Sequence, residues 1–369
     1  MSDPRIQKMA QILVQYSTKI KLGETVLFRG TSPLAQPLIA ALAEETLKVG
    51  AHPLGYIHPS HEAVTMLTHG SIEQIEHVNP MLELMYNTAD VIIRIEAEGD
   101  TGALAGFAPD KLKAWQRSRG ALINIQMRRE ADKSLRRTTT LYPTLAYASD
   151  AGMSLEAYEN FVYGAGMVAL EDPVAYWRDL ATRQDRLVEY LNGKQHLHVR
   201  GTNIDLQLGI GGRTFKSADG TANFPDGEIF TGPVEGSVNG WVKFTFPLVY
   251  QGNRVLGAEL TFRDGIVTDA RATENAEFLL AMLDTDAGSR RLGEFAIGTN
   301  TFIDRFTGQI LFDEKIGGTV HMAIGQGYPE TGAVNKSAVH WDMICDTRRD
   351  SEILVDGETF FKDGKFLID

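Results

Sequence analysis

The chain of 369 residues holds a single cysteine, Cys345. No internal disulfide and no multi-cysteine metal site can form, and a reducing, cytoplasmic setting is the expectation. No run of about 18 apolar residues occurs, which argues against a helix spanning a membrane. The N-terminal stretch MSDPRIQKMAQ has neither the basic nor the apolar region of a secretory signal. Basic residues are outnumbered, 36 Lys and Arg against 48 Asp and Glu, for a formal charge of −12, and none of them form a long tract. A nucleic-acid partner is therefore not expected. What is present is a globular composition, 43% apolar and 23% charged, long enough for two domains.

The first half alternates strand and helix patterns. Asp3 before Pro4 is a helix start. A strand over 23–30, a helix from Pro33 to Val49 stopped by Gly50, and a strand over 52–57 form a β-α-β unit. The apolar run ADVIIRIEA (89–97) suits a strand buried on both faces, and a helix over 109–119 with a strand over 120–127 is expected after it. No GxGxxG succeeds the first strand, so a dinucleotide is not expected there. Helical periodicity covers about 150–192, with Asp172-Pro173 starting the last helix and Gly193 ending it. Short alternating segments punctuated by Gly, Asn and Asp-Gly fill the remainder, the pattern of antiparallel strands and hairpins. The expected fold is a two-domain α+β protein. An open α/β domain with a largely parallel sheet spans 1–190, and a β-rich α+β domain carrying a metal site spans 191–369.

Candidate chemistry concentrates in residues 294–346. His340 and Asp342 lie two apart in the strand-like run SAVHWDMIC, so both side chains leave the same face while Val339, Trp341 and Met343 leave the other. His321 sits in another short apolar strand, GGTVHMAIG. Glu235 and Glu294 each stand beside glycine in surroundings poor in charge, and a glutamate is seldom buried without a partner or a metal. Taken singly, each has a bland explanation: a hydrogen-bonded core histidine or an acid capping a loop. Together they are what a divalent-metal hydrolase centre requires, and oxygen and nitrogen ligands without thiolate suit Zn, Co or Mn. His58 and His61 lack apolar walls, and Cys345, flanked by apolar residues, reads as a buried structural thiol.

Four segments, NFPDGEIFTGPVEGSVNG (223–240), LGEFAIGTN (292–300), LFDEKIGGTVHMAIGQGYPETG (311–332) and HWDMICD (340–346), resemble the thermophilic aminopeptidases of the aminopeptidase T and S type. The resemblance implies a cytoplasmic, homodimeric exopeptidase acting on peptides with two divalent metal ions per chain. It places the ligands on Glu235, Glu294, His321, His340 and Asp342, with Glu314 as an additional ligand or supporting acid. Tyr328 corresponds to the family's active-site tyrosine, and Glu294 would double as general base. Two rival readings stay open. A mononuclear non-haem iron oxygenase would use the same His-x-Asp and distant His, and a non-catalytic protein would bind peptide or metal without turnover.

Overall fold

A computed structural model describes residues 3–250 and 252–368. The chain divides into two compact units. The N-terminal unit runs to Tyr176 and includes Gly220–Pro225, while the C-terminal unit holds Trp177–Asp219 and the chain from Asp226 onward. The division falls within the helix Pro173–Leu191, earlier than the expected boundary at 190.

In the N-terminal unit five parallel strands lie in the order His52–Ile57, Thr25–Gly30, Val91–Glu96, Arg136–Leu141, Asn223–Phe224. The helix Pro4–Ile12 opens the unit with Asp3 accepting from the Arg5 backbone N–H, as the Asp-Pro pair predicts. Gly50 ends the helix Gln36–Val49 at φ +82°, a left-handed conformation suited to glycine. One expectation fails. Residues 120–127 are not a strand but the middle of one helix, Pro109–Ala131. Gly120 has no neighbour within 4 Å of where a Cβ would stand, so it interrupts nothing. Leu122 and Ile125, three apart, pack on the same core cluster with Leu27 and Ile92, which is helical rather than strand periodicity. The strand comes later, in the polar-looking RRTTTL. There β-branched Thr138 and Thr140 are fully buried, and Thr140 Oγ1 donates to the Phe224 carbonyl at 2.8 Å.

The C-terminal unit is antiparallel. An eight-stranded sheet runs from Ile266–Arg271 at one edge to Lys365–Phe366 at the other. A five-stranded sheet has the order His340–Asp346, Thr319–Gly325, Leu292–Gly298, Glu228–Thr231, Lys216–Ala218. Both sheets contribute to one apolar core: Val199, Leu206, Val242 and Ile353 from the first, and Ile229, Phe295, Ile297, Val320, Met322 and Met343 from the second. The smaller sheet thus spends its odd-and-even alternation on two purposes. One face is core, and the other is free for chemistry.

Candidate metal centre

Register fixes which side chains share the free face. His321 lies opposite Ala296 on one side and Ile344 on the other, and Ala323 lies between Glu294 and Asp342. Gly325 faces His340, and Gly298 faces Glu228. Directly opposed residues project to the same side of a sheet. Glu228, Glu294, His321, His340 and Asp342 therefore all rise from one face. Apart from Ile344 at the edge strand, the positions opposite or between them, Ala296, Gly298, Ala323 and Gly325, are glycine or alanine, which leaves room above the sheet. A register irregularity between Leu292 and Glu294 contains Gly293, where a Cβ would stand 2.2 Å from the Gln326 carbonyl oxygen. No larger residue fits there, and the irregularity sets where Glu294 emerges.

Three overlapping groups of ligand atoms result: Glu228 with Glu294 and His321; Glu294 with His340 and Asp342; and Glu314 with His321 and Asp342. Glu294 reaches both imidazoles, with one oxygen 3.9 Å from His321 Nε2 and the other 3.3 Å from His340 Nε2. His321 Nε2 is also 3.3 Å from Glu228, and His340 Nε2 is 3.6 Å from Asp342. His340 Nδ1 lies 2.8 Å from the Gln326 carbonyl and donates to it, so in the neutral ring Nε2 carries the lone pair that faces the acids. Tyr328 packs its ring 5.1 Å from His340 and 5.6 Å from Phe230, with its hydroxyl 3.4 Å from His340 Nε2.

The charges in this pocket are out of balance. Lys315 is fully buried, 3.6 Å from Asp226 and 3.7 Å from Glu228, and it also pairs with Glu314. With Glu294 and Asp342 that makes five carboxylates around one ammonium. Burial works to lower His321, but Glu228 and Glu294 outweigh it and raise it to about 10. Burial opposes the rise at His340 too, and the adjacent Asp342 and Glu294 carboxylates carry it to about 12. Burial also lifts Glu228 well above the ordinary glutamate range. Meanwhile buried Glu228 Oε2, Asp342 Oδ1 and His321 Nδ1 have no hydrogen-bond partner among the described residues. Orphaned carboxylate oxygens beside imidazole nitrogens are costly in a protein interior unless cations complete the site. The donor set, all oxygen and nitrogen, fits divalent ions.

The expected ligands fare unequally. Glu294, His321, His340 and Asp342 come together, and Glu314 joins them. Glu235 is not among the residues brought together. Its carboxylate accepts from the Arg213 guanidinium and from the Val334 backbone N–H at 2.8 Å, tying two loops to each other. Glu228 stands in its place, seven residues earlier. The signal for it lies in GEIFT: an acid entering a short apolar strand on the face opposite Ile229. Lys315 gave no sequence signal beyond its acidic neighbours.

Residues 2–366 match the thermophilic metalloprotease (M29) family. The chain belongs to this family. Among curated M29 relatives, aminopeptidase 2 of Geobacillus stearothermophilus is 30% identical across 98% of this chain and 95% of its own length. Aminopeptidase T of Thermus thermophilus is 27% identical across 97% and 95%. The solved structure of wild-type AmpT from Thermus thermophilus aligns with a TM-score of 0.86 at 24% identity, covering 99% of each chain. A 2,5-dihydroxypyridine dioxygenase from Pseudomonas putida also aligns, with a TM-score of 0.57 at 15% identity over 100% of this chain and 99% of that one. Both structural likenesses are of fold alone. The M29 match places this chain with the metallopeptidases, not with the oxygenase.

Proposed function

We propose that this M29 protein is an aminopeptidase that hydrolyses the first peptide bond of peptides with two divalent ions per chain. The observation that carries it is the overlap of three ligand groups on one sheet face, sharing Glu294, His321 and Asp342. Charge supports the count of ions. Once the two imidazoles have given up their protons to become ligands, five carboxylates against one ammonium leave four unbalanced negative charges, which two divalent cations would cancel. Glu228, Glu294 and His321 would hold one ion, and Glu294, His340 and Asp342 the other, with Glu314 an additional ligand on the His321 and Asp342 side. When bound, such ions supply Lewis-acid polarisation of a carbonyl and a water of lowered pKa.

The chain's own groups have separable tasks. Lys315 holds Glu228 and Glu314 in place and screens their mutual repulsion. The Gln326 carbonyl fixes the His340 tautomer. Burial, with the nearby acids, raises the Tyr328 hydroxyl far above its ordinary range, so it keeps its proton and is a donor for a developing oxyanion. Glu294 turns one oxygen towards each imidazole, so it is committed as a ligand in both groups and is not free for the general-base role first expected of it. A homodimer and a cytoplasmic setting complete the proposal and are open to sedimentation and fractionation.

The test is elemental analysis of the purified protein joined to hydrolysis of amino-acyl nitroanilides before and after chelation. Two ions per chain and chelator-sensitive turnover restored by Zn, Co or Mn are expected. A metal-free protein that still turns over, or a loaded one that cleaves only internal bonds, would rule the proposal out.

A further inference from the structure

The N-terminal unit has a charged cavity that the metal centre does not involve. Its strand order puts Thr25–Gly30 between His52–Ile57 and Val91–Glu96, so the chain leaves the adjacent strands Thr25–Gly30 and Val91–Glu96 in opposite directions. The crevice beyond the carboxyl ends of strands at such a reversal is where open α/β sheets take ligands. Two cavities lie there, of about 490 and 410 Å³, and His58, Glu62, Trp115 and Arg119 border both.

Two guanidinium groups on the 410 Å³ cavity make no contact ion pair among the described residues, although the Glu62 carboxylate on the same cavity acts on both at longer range. Arg29 is 7% exposed; its Nε donates to His58 Nε2 at 3.0 Å and its Nη1 to the Tyr86 hydroxyl at 2.6 Å, both neutral acceptors. Its Nη2 has no protein acceptor among the described residues. Arg119 lies 4.9 Å from the Trp115 ring centroid and makes no hydrogen bond or ion pair among the described residues. The acids nearest at hand are engaged elsewhere or stand off. Glu62 pairs with His58, Glu96 pairs with Arg94 at 3.0 Å, and Glu98 acts on Arg119 only from beyond contact distance. Burial, reinforced by the Arg29 and Arg94 charges, pulls Arg119 down to about 10. Arg29 is buried and Arg119 half-buried, and a guanidinium drawn from water with no carboxylate in contact is costly. His61, on the rim of the neighbouring cavity, is held at φ +59° in the left-handed region, uncommon outside glycine although histidine, like Asn and Asp, enters it more readily than most.

We propose that this cavity binds a small organic anion, its carboxylate or phosphate held by Arg29 and Arg119 and its aromatic or apolar body lying against Trp115 and Tyr56. Planar forked donors suit either oxyanion. The site needs no glycine-rich loop, because side chains rather than backbone N–H groups supply the positive charge. It is built wholly within the N-terminal unit and does not depend on the peptidase assignment.

The experiment is calorimetric titration of the full chain with phenyl phosphate, with benzoate, and with benzyl alcohol as the uncharged control. One site per chain for at least one anion, none for benzyl alcohol, and a roughly 10- to 100-fold weakening of that site in Arg119→Gln are expected. Arg29 is bonded to His58 and Tyr86, so Arg29→Gln serves only as a second variant, read where circular dichroism shows the native spectrum. Preference for phenyl phosphate identifies a phosphate monoester as the ligand class, and preference for benzoate a carboxylate. The proposal is overturned if neither anion binds more tightly than about 1 mM. It is equally overturned if Arg119→Gln binds as the native chain does, since the anion then sits elsewhere, or if benzyl alcohol binds as well.

Discussion

The two units place their functional side chains on opposite principles. In the N-terminal unit the central strands are buried on both faces, Val26–Gly30 and Val91–Ile93 throughout, so chemistry is displaced to the loops and helices beyond the strand ends. In the C-terminal unit the small antiparallel sheet has one face in the core, and ligands rise from the middle of its strands. Mid-strand residues are held by ladder bonds on both sides and by packing beneath. A group at the end of a strand is held only by its own loop. A centre that must keep several carboxylates together against repulsion is better built the second way, and a pocket that accepts one anion needs only the first.

The sharpest way to break this contrast is to remove ligands from the sheet face. Glu228→Ala should abolish turnover and lower bound metal, whereas Glu235→Ala should leave metal content unchanged and only loosen the loops at Arg213 and Val334. Equal metal loss in both would restore Glu235 to the centre. Next in size is the hidden face. Met343 is fully buried directly beside Asp342, and Met343→Ala should cost roughly 2–5 kcal/mol of stability in denaturant unfolding. Turnover per folded molecule should stay near native, and a proportionate loss of both would show that the faces are not independent. Tyr328→Phe removes a donor while leaving every proposed ligand in the chain, so kcat should fall by roughly 10²-fold with metal content constant. The smallest effect belongs to the N-terminal unit. Asp3→Ala deletes a helix cap worth about 1 kcal/mol and should shift the melting temperature while leaving turnover alone.

Much of this was legible because alternation is a strong signal. HWDMICD declares its own two faces, and the structure puts Trp341 and Met343 in the core and His340 and Asp342 opposite. The parallel β-α-β opening is equally plain in its caps and apolar runs. Where spacing must give way to register, the signal weakens. Glu228 and Glu235 sit in one matched segment, both acidic and both near glycine. Only pairing with Leu292–Gly298, which sets Glu228 against Gly298, separates a strand residue from a loop residue. Residues 120–127 misled for a related reason. An apolar run after glycine reads equally as strand or helix over eight residues, and it is packing by Leu122 and Ile125 that decides. Arg136–Leu141 escaped notice because its burial is achieved with threonine, of which Thr140 turns its hydroxyl to the Phe224 carbonyl. Lys315 is the extreme case, since nothing local foretells that a lysine will be wholly enclosed by distant acids.

Glu294 offers one oxygen to each half of the cluster. If two ions load as proposed, their binding would be linked through this residue: whatever settles beside His340 also orients the carboxylate that the neighbour beside His321 would use. Affinity at the two positions cannot be tuned separately by substitution at this residue, and a titration that fills them one after the other should report a second step set by the first.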